Sequence, residues 1–101
     1  MTKYNYLSEM QALCFRASMA LTALKDEKIK VFYDKAEKDY YDQVSKIPVE
    51  EAKENITQSQ IEQYLRTKDF VEQKEREAAE ACSGKQVDQE AEECKFVKSL
   101  F

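Results

Sequence analysis

The side chains able to do chemistry in this 101-residue sequence are three cysteines, six tyrosines and a surplus of carboxylates, 20 Asp plus Glu against 16 Lys plus Arg. Histidine is absent. Without an imidazole there is no general base tuned near pH 7, no His-based triad and no Glu-x-x-His helix site for metals. Cys14, Cys82 and Cys94 lie 68 and 12 positions apart with no C-x-x-C pair, short of the four Cys or His ligands that a zinc site usually takes. They read as reduced thiols, with Cys14 an inert core residue on the most apolar segment. Glu90, Glu92 and Glu93 would raise the pKa of Cys94 and lower its reactivity. No loop with calcium-ligand spacing accompanies the acidic groups. The expectation is a non-enzymatic chain with no cofactor and no metal; an enzyme built on Cys, Glu or Tyr is the only catalytic option left.

The elements that position these residues follow from two scarce ones. A single glycine, Gly84, and a single proline, Pro48, must punctuate the whole chain. Gly-rich phosphate loops need two or three glycines at fixed spacing and are ruled out. Antiparallel sheets, which need a turn every 8 to 12 positions, are ruled out with them. Long helices with short links remain, and the sequence predicts an all-α fold: a small bundle of about four helices in one domain, at about 5–24, 26–46, 49–82 and 86–100, with a C-terminal helical hairpin turning at Gly84. Leu, Ile, Val and Phe together number 21, enough for a thin core that self-association would help.

The first helix carries an a/d seam, Leu7, Met10, Cys14, Ala17, Leu21 and Leu24, spaced alternately three and four. Tyr6, Leu13, Phe15, Met19, Ala20 and Ala23 widen it, so this helix is expected at the centre, capped by Asn5 or Ser8. The second helix, antiparallel to it, starts at the N-cap Asp26 and stops before Pro48. Its inner stripe is Ile29, Phe32, Tyr33, Ala36, Tyr40, Val44 and Ile47. A ladder of alternating sign, Asp26, Lys30, Asp34, Lys38, Asp42 and Lys46, marks its wet face. Pro48 suits a first helical position. Thr57-x-x-Gln60 has the form of a capping box starting a helix at Gln58, although a bend near 56–57 and a straight passage both fit. Glu72 to Glu77 contains no apolar residue and is read as facing solvent or a partner. Cys82 and Cys94 would sit about 12 Å or more apart along such a hairpin, too far for a disulfide.

The binding candidates are aromatic and acidic. Tyrosine buries area while keeping a polar tip, which enriches it in interfaces. Tyr41 is the tyrosine most expected to be exposed, and Tyr64 joins it. Glu75 and Glu77, opposite Glu90 and Glu93 across the hairpin, make a negative end that could steer a basic partner or imitate a nucleic-acid backbone. Phe101 closes the last apolar stripe. No basic patch stands out in any quarter of the chain, so direct nucleic-acid binding is not expected. The longest low-charge stretch, Leu13 to Leu24, is too short to span a membrane. A reducing cytoplasm is the expected location.

Thr2-Lys3, Tyr6-Leu7, Cys14, Phe32-Tyr33 and Lys46-Ile47-Pro48 occur in an order that resembles the small Hha-type nucleoid regulators of enteric bacteria, over at most the first half of the chain. The interval from Phe-Tyr to Ile-Pro is shorter here, the second half has no counterpart, and no residue role is carried over. The main functional expectation is a protein–protein interaction module, an acidic adaptor, inhibitor or chaperone-like protein whose partner is another protein, with an antiparallel homodimer as a reasonable addition. The alternative is a regulator acting at nucleic acid through a DNA-bound protein partner or as an acidic nucleic-acid mimic.

Overall fold

The computed structural model describes residues 1–83 as four helices, α1 (Lys3–Ala23), α2 (Glu27–Lys46), α3 (Val49–Ala52) and α4 (Gln58–Ser83). The fold is a small all-α bundle. The described residues hold no β-strand, only an isolated antiparallel bridge between Thr2 and Asn55. The expected turn at Gly84 and the helix after it lie outside the described residues.

The helix ends follow local chemistry. Thr2, rather than Asn5 or Ser8, caps α1, its hydroxyl accepting the Asn5 N–H at 3.2 Å. This cap escapes a search for apolar periodicity because it stands before the first periodic residue. At the other end Lys25 takes a left-handed conformation, φ 61°, a position where glycine is usual. The Asp26 N–H donates back to the Leu21 carbonyl at 2.9 Å and the Lys25 N–H to Thr22 at 3.1 Å, so the turn satisfies carbonyls that α1 would otherwise leave open. Asp26 then caps α2 as expected, accepting the Ile29 N–H at 3.4 Å. Pro48 is the N-cap of α3, with Val49 the first helical residue. The capping box forms in full: Thr57 N–H donates to Gln60 Oε1 at 2.9 Å and Gln60 N–H to Thr57 Oγ1 at 3.2 Å. The chain therefore bends between Ala52 and Gln58, where Ile56 turns inward and is buried.

α1 is the central helix. Tyr6, Leu7, Met10, Leu13, Cys14, Ala17, Ala20, Leu21 and Ala23 are all buried along it, and each large apolar side chain so buried contributes about 1.5–3 kcal/mol. α2 descends one flank: Tyr40 meets Tyr6, Glu37 meets Gln11, and Asp34 accepts the Ser18 hydroxyl. That order makes α2 antiparallel to α1. α4 climbs the other flank parallel to α1, with Gln63 beside Tyr6 and Glu75 beside Arg16. The reversal is made under the N-terminus of α1, where Lys3 N–H donates to Glu54 and Ile56 N–H to Met1, at 2.8 and 3.1 Å. Lys3 Nζ sits 3.3 Å from both Glu51 and Glu54, and this keeps its ammonium pKa above the ordinary value.

Two expectations about faces are corrected. The inner stripe of α2 holds for Tyr33, Tyr40, Val44 and Ile47, which pack half-buried on the core. Ile29 and Phe32 are instead exposed, because a single neighbour, α1, covers only a narrow strip of α2. The stretch Glu72 to Glu77 does not simply face solvent: Glu75 is 2% exposed and takes a two-pronged bond from Arg16, with Nε and Nη2 at 2.9 and 2.5 Å. A charged residue in an apolar stripe hides from periodicity, and only the facing helix reveals its partner.

Candidate functional site

The backbones of α2 and α4 nowhere pack on each other. Aromatic side chains bridge the gap. Tyr33 stacks on Phe70 with centroids 5.5 Å apart, and Tyr40 meets Tyr6 edge-on at 6.4 Å. Tyr6 then donates its hydroxyl to Gln63 on α4 at 2.9 Å. Rings of this thickness hold two helices apart, and a trough is left between them above α1.

Two cavities make up the trough, of about 500 and about 180 Å³. Phe32, Ala36 and Tyr40 line both, which makes them one continuous feature. Tyr6 and Leu7 floor the larger part, while Lys35, Asp39 and Gln43 of α2 and Gln60 of α4 form its walls. Met10 and Cys14 floor the smaller part, with Gln63 and Thr67 as its α4 wall. The floor is apolar and the walls are polar with one charge of each sign, a surface suited to an amphipathic segment. A separate apolar hollow of about 460 Å³ lies at the other end, between Tyr4, Val44, Ile47 and Val49.

Burial sets the electrostatics of the trough's thiol and phenols. Burial, with a smaller contribution from the Glu37 carboxylate, pushes the Cys14 thiol from 9.0 up to about 11. Burial likewise raises Tyr33, and it raises Tyr40 strongly with help from Tyr6. None of the three is ionised at neutral pH. Among the described residues no group of three or more His, Cys, Asp or Glu is arranged to hold a metal ion, and no helix is long and apolar enough to cross a membrane. A thiol held at about 11 instead of 9.0 carries about a hundredfold less thiolate at pH 8. Cys14 in the native chain is accordingly expected to alkylate about a hundredfold more slowly than in the unfolded chain, as read by peptide mass mapping; equal rates would remove the buried-thiol assignment.

The residues singled out from sequence do not come together. Tyr41 is 58% exposed, as anticipated, but lines neither part of the trough. Tyr64 is half-buried against the core. Glu75 is withdrawn into its Arg16 pair. Glu77 sits half-buried, with Oε2 3.4 Å from Lys74 Nζ. Glu90, Glu93 and Phe101 lie outside the described residues. What sequence reasoning missed is the outward side of α2: Val31 and Phe32 are 63% and 65% exposed. The signal is present in the pair Phe32-Tyr33, since adjacent helical residues point about 100° apart and a helix packed along one side only leaves one of such a pair uncovered. Comparison of the chain with family models, with curated proteins and with solved structures yields no significant match, so the ordered resemblance to the Hha-type regulators assigns no residue role.

Proposed function

We propose that this protein is a non-enzymatic interaction module that presents α2, with the trough beside it, to another polypeptide. The observation that carries the reading is a 20-residue helix without one buried residue, whose outward side holds two large apolar residues in succession, Val31 and Phe32. An exposed aromatic at the rim of an apolar trough is the kind of anchor around which interfaces concentrate their energy. The depressed reactivity of the trough's own thiol and phenols supports binding over catalysis.

The test is affinity capture with the full chain as bait, wild type beside Phe32→Glu, with Lys38→Glu on another part of α2 as control. Proteins held by the wild type and the control but lost from Phe32→Glu are the expected result. Identical sets on all three baits, further copies of the chain itself counted among the proteins held, would remove α2 as the binding face. Nuclease treatment of the lysate before capture separates a partner held directly from one brought along on nucleic acid.

A further inference from the structure

Lys28, Val31, Phe32, Lys35 and Asp39 occupy positions i, i+3, i+4, i+7 and i+11 of α2 and so share one face. All five are exposed. Neither Lys28 nor Asp39 has a hydrogen bond or ion pair with any described residue, in contrast to Lys30, which holds Asp34 at 2.8 Å on an adjoining face. The outward face of α2 thus consists of an apolar pair flanked by opposite charges that nothing within the described fold satisfies.

We propose that the occupant of this face is a second copy of the chain, the two α2 helices packing antiparallel about a two-fold axis that passes between positions 33 and 34. The inference rests on the interaction reading above and names its partner. The face is self-complementary. An isologous contact requires each patch to match its own reverse. With the axis at that point, position n of one copy faces position 67 minus n of the other, so Lys28 faces Asp39 of the second copy, twice over by symmetry. Val31 lies opposite Ala36, and the Phe32 ring lies beneath Lys35, where an ammonium can rest on an aromatic face. The apolar pairs fall at the centre and the ion pairs at the rim, the arrangement that stable interfaces adopt. No charge inside this span lies directly opposite its like.

Sedimentation equilibrium on the full chain tests the proposal, with helix content and melting temperature checking that each variant stays folded. The wild type is expected to dimerise at micromolar concentration. Phe32→Lys should weaken the dimer about 30-fold or more, since it removes a central anchor and sets a second ammonium opposite Lys35 at both symmetric contacts. Lys28→Asp and Asp39→Lys should each weaken it roughly tenfold, because each places like charges across both symmetric contacts. The double variant Lys28→Asp/Asp39→Lys should return to within about threefold of the wild type, since the pairs re-form with their signs exchanged. A dimer indifferent to all of these would place the contact elsewhere and overturn the proposal. A monomer at every concentration, with the capture difference between wild type and Phe32→Glu intact, would overturn the second copy alone and leave the interaction reading standing. Loss of both the dimer and the capture difference would take down both.

Discussion

Replacing Arg16 by methionine is expected to cost about 3 kcal/mol of stability, while Glu75→Leu costs only about 1 kcal/mol and the double variant regains most of the loss. The asymmetry comes from geometry. Glu75 is 2% exposed and receives both Arg16 donors, whereas the Arg16 side chain keeps 35% of its surface in water. Removing the arginine strands a carboxylate where solvent cannot reach it, and an uncompensated buried charge is among the costliest defects in a fold. Removing the carboxylate leaves a guanidinium that can turn outward and find water. With both gone, leucine and methionine fill the same space with apolar atoms, and the desolvation cost disappears with the charges. Urea denaturation of the three variants decides it. Arg16→Met within 0.5 kcal/mol of the wild type would show that the pair contributes little beyond its screened Coulomb attraction.

In the monomer, measured below the concentration at which copies associate, Leu21→Ala is expected to destabilise by about 3 kcal/mol, while Phe32→Ala changes stability by less than about 0.5 kcal/mol. Both residues belong to apolar stripes, and phenylalanine is the larger. Leu21 is fully buried, so trimming it leaves a cavity as well as the lost transfer free energy. Phe32 already has most of its surface in water, and trimming it removes few contacts. The pair of measurements separates the central helix from the presenting one. Such a cost at Phe32 in the monomer, approaching that at Leu21, would mean that its ring is covered within its own chain, against the exposed α2 face on which the functional reading depends.

Much of the fold is legible in the sequence. The a/d seam of α1 is buried from Leu7 through Leu21, Asp26 caps α2, and Thr57 and Gln60 close the box that starts α4. These features are local: a cap, a box or a seam is written within a few residues and needs no distant partner to be recognised. The candidate site was legible to a much smaller degree. Tyr41 was rightly expected to be exposed, yet it takes no part in the trough. Glu75 was read as surface because carboxylates are rarely buried alone, and its partner Arg16 lies 59 positions away on a different helix. Phe32 was read as core because periodicity reports that a stripe is apolar, not how much of it a neighbour will cover.

The sequence by itself determined that this is a helical chain without imidazole chemistry or Gly-rich phosphate binding, broken near Asp26 and Pro48, with α1 as its most apolar segment. Residue type and spacing suffice for those conclusions, because caps, breaks and missing side chains act within one or two turns of backbone. Tertiary structure alone decided that α4 runs parallel to α1, that Arg16 reaches Glu75, and that α2 and α4 stand apart behind Tyr33 and Phe70 so that a trough remains. Each of these depends on which faces meet between segments far apart in the chain. The thickness of interposed rings and the cost of an unpaired buried charge settle those meetings once the helices are packed, and no short window of sequence contains them.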